Sequence, residues 1–310
     1  MYVRTLEKMV GRARLIDIAA REVADDLRLP PHLRVHDDWR ALVEGPCDAV
    51  VIAAPDRFHP EMLRACLRAG KPCVIEKPLC LDLPTAAALH REVTESGLPV
   101  VVNHVHLFAS AWQVLCRAVE EHGEPVRYVL SEGASLGPFR AETSSLWDRA
   151  PHDFSLLLEL MGGEPLSVTA CGVPSKHPEQ FAVALDFGAG REALVHGGRL
   201  TPHRRRLLVV YTDSRVWIWN DVSEPTLTTA SIAFDARNTG GLPRNVAEHV
   251  LEVPPVTPME AMLTYFIDGL HSGPRDRFGT ALALSVTRLL AACDTSLARA
   301  GGVVVGDGCA

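Results

Sequence analysis

Although eight cysteines are present in this 310-residue chain, at 47, 66, 73, 80, 116, 171, 293 and 309, no two fall in a C-x2-C spacing. Most lie inside apolar runs, so they read as reduced core thiols, and neither a thiolate metal centre nor a disulfide framework is expected. The N-terminus has no basic-then-apolar signal pattern, and no apolar stretch is read as reaching the ~18 residues needed to span a bilayer. A cytoplasmic location is the default expectation. Positive charge is not in excess: 31 Lys and Arg against 38 Asp and Glu give a net charge of -7 and a pI near 6.0. That balance argues against nucleic acid or an anionic membrane as partner. Internal repeats and low-complexity tracts are absent too. What is present is an ordinary globular composition, 47% hydrophobic and 22% charged, with length for about two domains.

Residues 48–78, DAVVIAAPDRFHPEMLRACLRAGKPCVIEKP, organise the rest. A β-branched run at 49–53 stops at Ala54-Pro55; a helix-period segment, 61–69, ends at Gly70; a second apolar run, 72–75, stops at Glu76-Lys77-Pro78. The pattern is strand, helix, strand. Apolar runs without polar alternation are what parallel strands covered on both faces look like. Ligands of such sheets sit beyond the carboxyl ends of the strands, where Pro55, His59, Glu76 and Lys77 stand. Further on, 84–95 reads as helix and 99–103 as strand. His104 and His106 alternate as on a continuing strand, which would point both to one face; substrate-facing or packed histidines fit them better than a metal pair.

The pattern Ala-Ala-Pro-x3-His, then Ala-Gly-Lys-Pro, then Glu-Lys-Pro at the next strand end resembles the Gfo/Idh/MocA family of NAD(P)-dependent sugar and cyclitol oxidoreductases. The resemblance implies an α/β fold: a Rossmann-type parallel sheet over residues 1–104, and an α+β domain over 105–310 with a predominantly antiparallel sheet used for homo-oligomerisation. A family member would begin earlier, with a first strand and a G-x-G-x-x-G turn that holds the pyrophosphate, and neither is in this sequence. Without that central strand the sheet would have two unpaired edges. Three explanations stand: a start at an internal Met, loss of dinucleotide binding with the gap filled by another segment or subunit, or a strand supplied by Val303-Val-Val305. The ribose-binding acidic position aligns with Ala20, followed by Arg21, which either favours the 2′-phosphate of NADP or opens a solvated helix at 21–27; Asp17 reaches that position only by a shift of three residues.

The second domain reads as a helix at 111–121, a strand at 126–132, and then Gly137-Pro-Phe-Arg140 and Leu146-Trp-Asp-Arg-Ala-Pro-His-Asp-Phe154. Asp148 and His152 are four apart and share a helical face. With Asp148 as N-cap and Pro151 in the first turn, His152 would sit near the positive helix end, where the neutral imidazole is favoured. Strands are expected at 166–170, 181–187, 193–195, 207–210 and 216–219, a solvated loop at His203-Arg-Arg-Arg206 that alternatively holds an anionic substrate group, a weakly periodic stretch at 223–253, and helices at 259–272 and 279–300. The run W-D-x3-H-D resembles the family's catalytic residues. The resemblance implies that His152 takes the hydroxyl proton as hydride leaves, Lys77 steadies the charge on that oxygen, and Asp148 orients the substrate. It also implies that Pro55, His59 and Glu76 line the nicotinamide-ribose side and that Arg21 meets the adenosine end of NAD or NADP. Two alternatives accompany this reading: a cofactor-independent lyase, epimerase or cyclase, and a noncatalytic partner subunit.

Overall fold

The computed structural model describes residues 1–20, 29–140, 143–173, 179–224, 226–232, 248–272, 276–299 and 301–305. They form two compact units, Met1–Val105 with Thr257–Leu284, and His106–Val256 with Ser285–Ala310. The first opens with α1, Tyr2–Leu6. The amides of Arg12 and Ala13 both donate to the Met9 carbonyl, closing a turn before the first strand. That strand is only β1, Asp17–Ala19, paired in parallel with β2, Arg34–His36.

Asp17 lies opposite Arg34 in this pair and is nearly inaccessible, its side chain 3% exposed. Arg34 donates to its two oxygens at 2.7 and 2.9 Å, and His36 Nε2 is 3.2 Å away. The carboxylate is thereby engaged by β2, not offered to a ribose. The Arg34 hydrogen bonds hold its pKa below the ordinary 3.8. Asp17→Asn is expected to cost about 1 kcal/mol at neutral pH, a modest figure because Arg34 is largely exposed. A depressed carboxyl contributes its stability above the ordinary pKa and loses it as pH falls through the folded-state value. Denaturant titrations should show wild type and variant diverging at neutral pH and converging in strong acid; a constant gap would contradict the ion pair as its source.

A short helix, α2, Trp39–Glu44, capped by the Asp38 side chain on the Arg40 amide, leads to β3, Val50–Ile52. Then come α3, His59–Arg68, β4, Cys73–Glu76, α4, Leu83–Ser96, and β5, Val100–Asn103. These are the expected crossovers; Asp82 caps α4 on the Thr85 amide, and Gly97 ends it in the left-handed conformation. The three strands pair in parallel in the order β3-β4-β5, while β1 pairs with β2, so the parallel strands form a three-stranded and a two-stranded sheet. Val50, Ile52, Leu63, Ile75, Leu89 and Val102 fill the core with Cys47, Cys66, Cys73 and Cys80. All seven described cysteines are free thiols; Cys309 lies outside the described residues.

The second unit is built on α5, Ser110–His122, β6, Tyr128–Leu136, and α6, Ser145–Met161. Six strands follow: β7, Ser167–Gly172, β8, Gln180–Asp186, β9, Glu192–Gly198, β10, Leu200–Tyr211, β11, Arg215–Asn220, and β12, Leu227–Ser231. β13, Glu248–Val250, comes last before the helices α7, Pro258–Ser272, and α8, Thr280–Arg299, and the closing strand β14, Val303–Val304. The weakly periodic stretch thus supplies β12 and β13, and residues 233–247 are outside the described set. The sheet order is β13-β12-β11-β10-β6-β9-β8-β7-β14, antiparallel except for the β6–β9 pair. Helix α6 lies over β6, β8 and β9, and α5 over β11. Trp112, Phe154, Phe181, Trp217 and Trp219 are each at most 2% exposed and dominate that core.

Two expectations are corrected here. The tail Val303–Val304 pairs antiparallel with β7 in the second unit, so it does not complete the parallel sheet. Helix α8 is 20 residues long and, by length and composition, apolar enough to cross a membrane. Its Val286, Leu289, Leu290 and Cys293 are instead buried in the protein core, a distinction that local hydropathy cannot make.

Candidate active site

In the first unit the chemistry gathers at the carboxyl ends of β3 and β4. Pro55 is exposed just after β3. His59 begins α3 and is 1% exposed. Its Nδ1 lies 2.8 Å from the Pro78 carbonyl oxygen and its Nε2 3.0 Å from that of Ala54. Both ring nitrogens are occupied by backbone, so His59 ties the two strand ends together from beneath and does not present a donor to a nucleotide. Glu76 and Lys77, both partly exposed, stand at the end of β4. The Tyr2 hydroxyl donates to Glu76 Oε1 at 2.7 Å, and Asn103 Nδ2 donates to the same oxygen at 2.8 Å and to the Tyr2 oxygen at 2.7 Å. Burial, and then the Glu76 charge, raise the Tyr2 hydroxyl well above the usual phenol pKa. Tyr2 therefore stays a donor, and the triad fixes the Glu76 carboxylate through one oxygen. Oε2 is the carboxylate oxygen outside that triad. Arg21 lies outside the described residues.

The second unit carries Asp148 and His152 on α6. That helix starts three residues before the position read as its cap: Ser144, extended, accepts from the Trp147 amide at 3.3 Å. Asp148 is therefore in the first turn and not the N-cap, Pro151 is inside the helix, and His152 is well past the positive end. The dipole argument for a neutral His152 does not hold. Proline is tolerated because Leu146, Trp147, Ala150, Phe154 and Leu157 bury this helix against the sheet, and such packing outweighs one missing backbone bond.

Asp148 and His152 do share a face. Asp148 Oδ2 accepts from Arg199 Nη2 at 2.9 Å, and Oδ1 is 3.7 Å from Arg140. Arg199 is 0% exposed and also donates to the Thr143 carbonyl at 3.0 Å and to Glu179 at 3.3 Å. Sequence reasoning missed it, because an arginine after Gly197-Gly198 looks like a solvated turn. The imidazole of His152 meets His106 edge to face, centroids 4.6 Å apart at 80°. The H-x-H expectation is corrected as well. The backbone turns immediately after β5, where the His104 amide donates to the Val102 carbonyl at 2.7 Å. His104 is then buried at 1%, and His106 falls on the following short 3-10 turn, Val105–Phe108.

His106 and His152 line a cavity of about 180 Å³ with Ser135, Arg149, Asp153 and the run Arg204, Arg205 and Arg206. That run is not a loop: it lies within β10, with Arg205 opposite Ala134 and Arg206 opposite Gly133. Acidic neighbours make the strand tolerable, since Arg206 bonds the 1%-exposed Asp153 at 2.6 Å, Arg205 reaches Glu132 at 3.3 Å and Arg204 reaches Asp221 at 3.5 Å.

Comparison with known proteins adds a lineage to this geometry. A family model described as an oxidoreductase family with an NAD-binding Rossmann fold matches residues 4–104. The chain is 27% identical over 239 residues to scyllo-inositol 2-dehydrogenase (NAD(+)) of Bacillus subtilis, covering 70% of this chain and 69% of that one. It is 35% identical over 157 residues to UDP-N-acetylglucosamine 3-dehydrogenase of Acidithiobacillus ferrooxidans, covering 50% of this chain and 47% of that one. A crystal structure described as an oxidoreductase of Magnetospirillum magnetotacticum superposes with a TM-score of 0.83 at 29% identity over 94% of each chain.

Proposed function

This chain belongs to the Gfo/Idh/MocA family of oxidoreductases, and from that premise we propose that it exchanges hydride between NAD or NADP and a hydroxyl or ketone of a sugar, cyclitol or sugar nucleotide. The observation that carries this reading is the His152 face of α6, which opens on a polar cavity with Asp148 on the same face. When bound, the nicotinamide supplies or accepts the hydride. Lys77 steadies the negative charge that develops on the reacting oxygen, for which a fixed cation is well suited. His152 accepts the hydroxyl proton. Asp148 orients the substrate, its own position set by Arg199. Pro55 and the remaining oxygen of Glu76 meet the nicotinamide-ribose side.

The direct test is nucleotide binding by the chain, followed by fluorescence and by thermal stability with NADH and NADPH. A ligand at ~100 times its dissociation constant adds about 2.7 kcal/mol of stability. A clear shift with one or both nucleotides is the expected result. No shift with either, in a protein that melts cooperatively, would count against hydride transfer.

A further inference from the structure

The cavity beside His152 is unusually cationic for a polyol site. Four arginines line it, and three carboxylates neighbour them. The match is uneven. Arg206 has a close buried partner in Asp153, whereas the Arg205 and Arg204 contacts to Glu132 and Asp221 are long, at 3.3 and 3.5 Å, and made by side chains 57% and 69% exposed. Arg149 donates to neutral acceptors, Ser135 Oγ at 2.6 Å and the Gly137 carbonyl at 2.7 Å. Among the described residues, the donors Arg149 Nε and Arg206 Nη2 and the acceptor Asp153 Oδ2 are buried without a hydrogen-bond partner. Arg206 and Asp153 already neutralise each other, so it is the spare donor of Arg149 that favours an incoming anion. The backbone also makes room: a Cβ on Gly133 would stand 3.0 Å from Arg206 Nη1 and 3.3 Å from Asp153 Oδ2, so a larger residue there would push this pair away from β6 by a few tenths of an ångström.

We propose that the substrate carries an anionic group, a phosphate or a carboxylate, which docks on Arg149, Arg204 and Arg205 next to His152. Guanidinium groups present paired donors that match such oxygens. This assignment rests on the proposed function and narrows its substrate class to charged members, setting neutral sugars and cyclitols aside. Arg206, already matched by Asp153, holds the floor of the site.

The test is calorimetric binding to the full chain at low ionic strength, with glucose 6-phosphate and glucuronate set against glucose and myo-inositol. At least one charged ligand should bind about tenfold or more tightly than both neutral ones, with affinity that falls as salt is added. Which of the two binds separates phosphate from carboxylate. The double variant R204Q/R205Q, changed only at exposed side chains, should lose about tenfold in affinity for that ligand with its melting temperature unchanged. Equal binding of neutral and charged ligands, no binding of any, or a double variant that binds as wild type would each overturn the assignment. Because no dinucleotide is needed, selective anion binding without hydride transfer would retire the oxidoreductase reading alone. Hydride transfer confined to neutral polyols would retire this one alone.

Discussion

Lys77→Met and His152→Asn are each expected to lower the rate of hydride transfer by about 10²–10⁴-fold while leaving nucleotide binding nearly unchanged. A positioned general base contributes about that much, and a fixed group that stabilises developing oxyanion charge contributes about 10²–10³. The measurement is single-turnover change in nicotinamide absorbance with a substrate that wild type accepts. If both groups act on one oxygen, the double variant should fall far short of the product of the single effects, because the unaided remainder sets a common floor. Restoring rate to the histidine variant at high pH, where hydroxyl ionisation no longer needs a base, would separate proton removal from a packing role. A Lys77→Met enzyme that turned over normally would remove Lys77 from the mechanism.

Arg199→Met is expected to destabilise the second unit by up to about 3–5 kcal/mol, since it strips the fully buried partner from Asp148 and leaves the more exposed Arg140, 3.7 Å away, as a weaker compensation for the carboxylate. Few single substitutions outside a hydrophobic core have that reach. Urea unfolding should show a lower midpoint with an unchanged slope. Adding Asp148→Asn to Arg199→Met should recover part of the loss, because the second change removes the stranded charge; a double variant less stable than the single would mean that the arginine acts through Thr143 and Glu179 instead.

How far the sequence reveals this molecule depends on which physical signal each element carries. The runs that became β3, β4 and β5 are apolar on both sides, and α3 and α4 are long enough for a period and end in glycine, so they can be read directly. The three residues of β2 and the six of α2 carry too little pattern. Asp148 and His152 were legible as a pair because i and i+4 share a helical face, yet the helix start was not. Three consecutive small polar residues, Thr143, Ser144 and Ser145, offer equivalent caps, and burial decides among them. Arg199 and Arg206 were invisible for a different reason: an arginine is read as solvated until a carboxylate distant in sequence, Asp148 or Asp153, is seen beside it. The cationic cavity emerges only when the pairing of β10 with β6 brings residues 204–206 against 133–135.

The first unit is discontinuous in sequence, closed by residues 257–284 after the chain has made most of the second. Within it α7 packs on α1 and β5, and Ala283 enters its core. During synthesis the segment 1–105 must therefore wait, with part of its apolar surface uncovered, until nearly the whole chain has left the ribosome. The second unit is discontinuous as well, since residues 285–310 complete it last, so neither unit has all of its chain until the end of synthesis. Stalled translation before residue 257 would leave residues 1–105 without the segment that closes their core, and a chaperone that shields them in that interval would act on the first hundred residues.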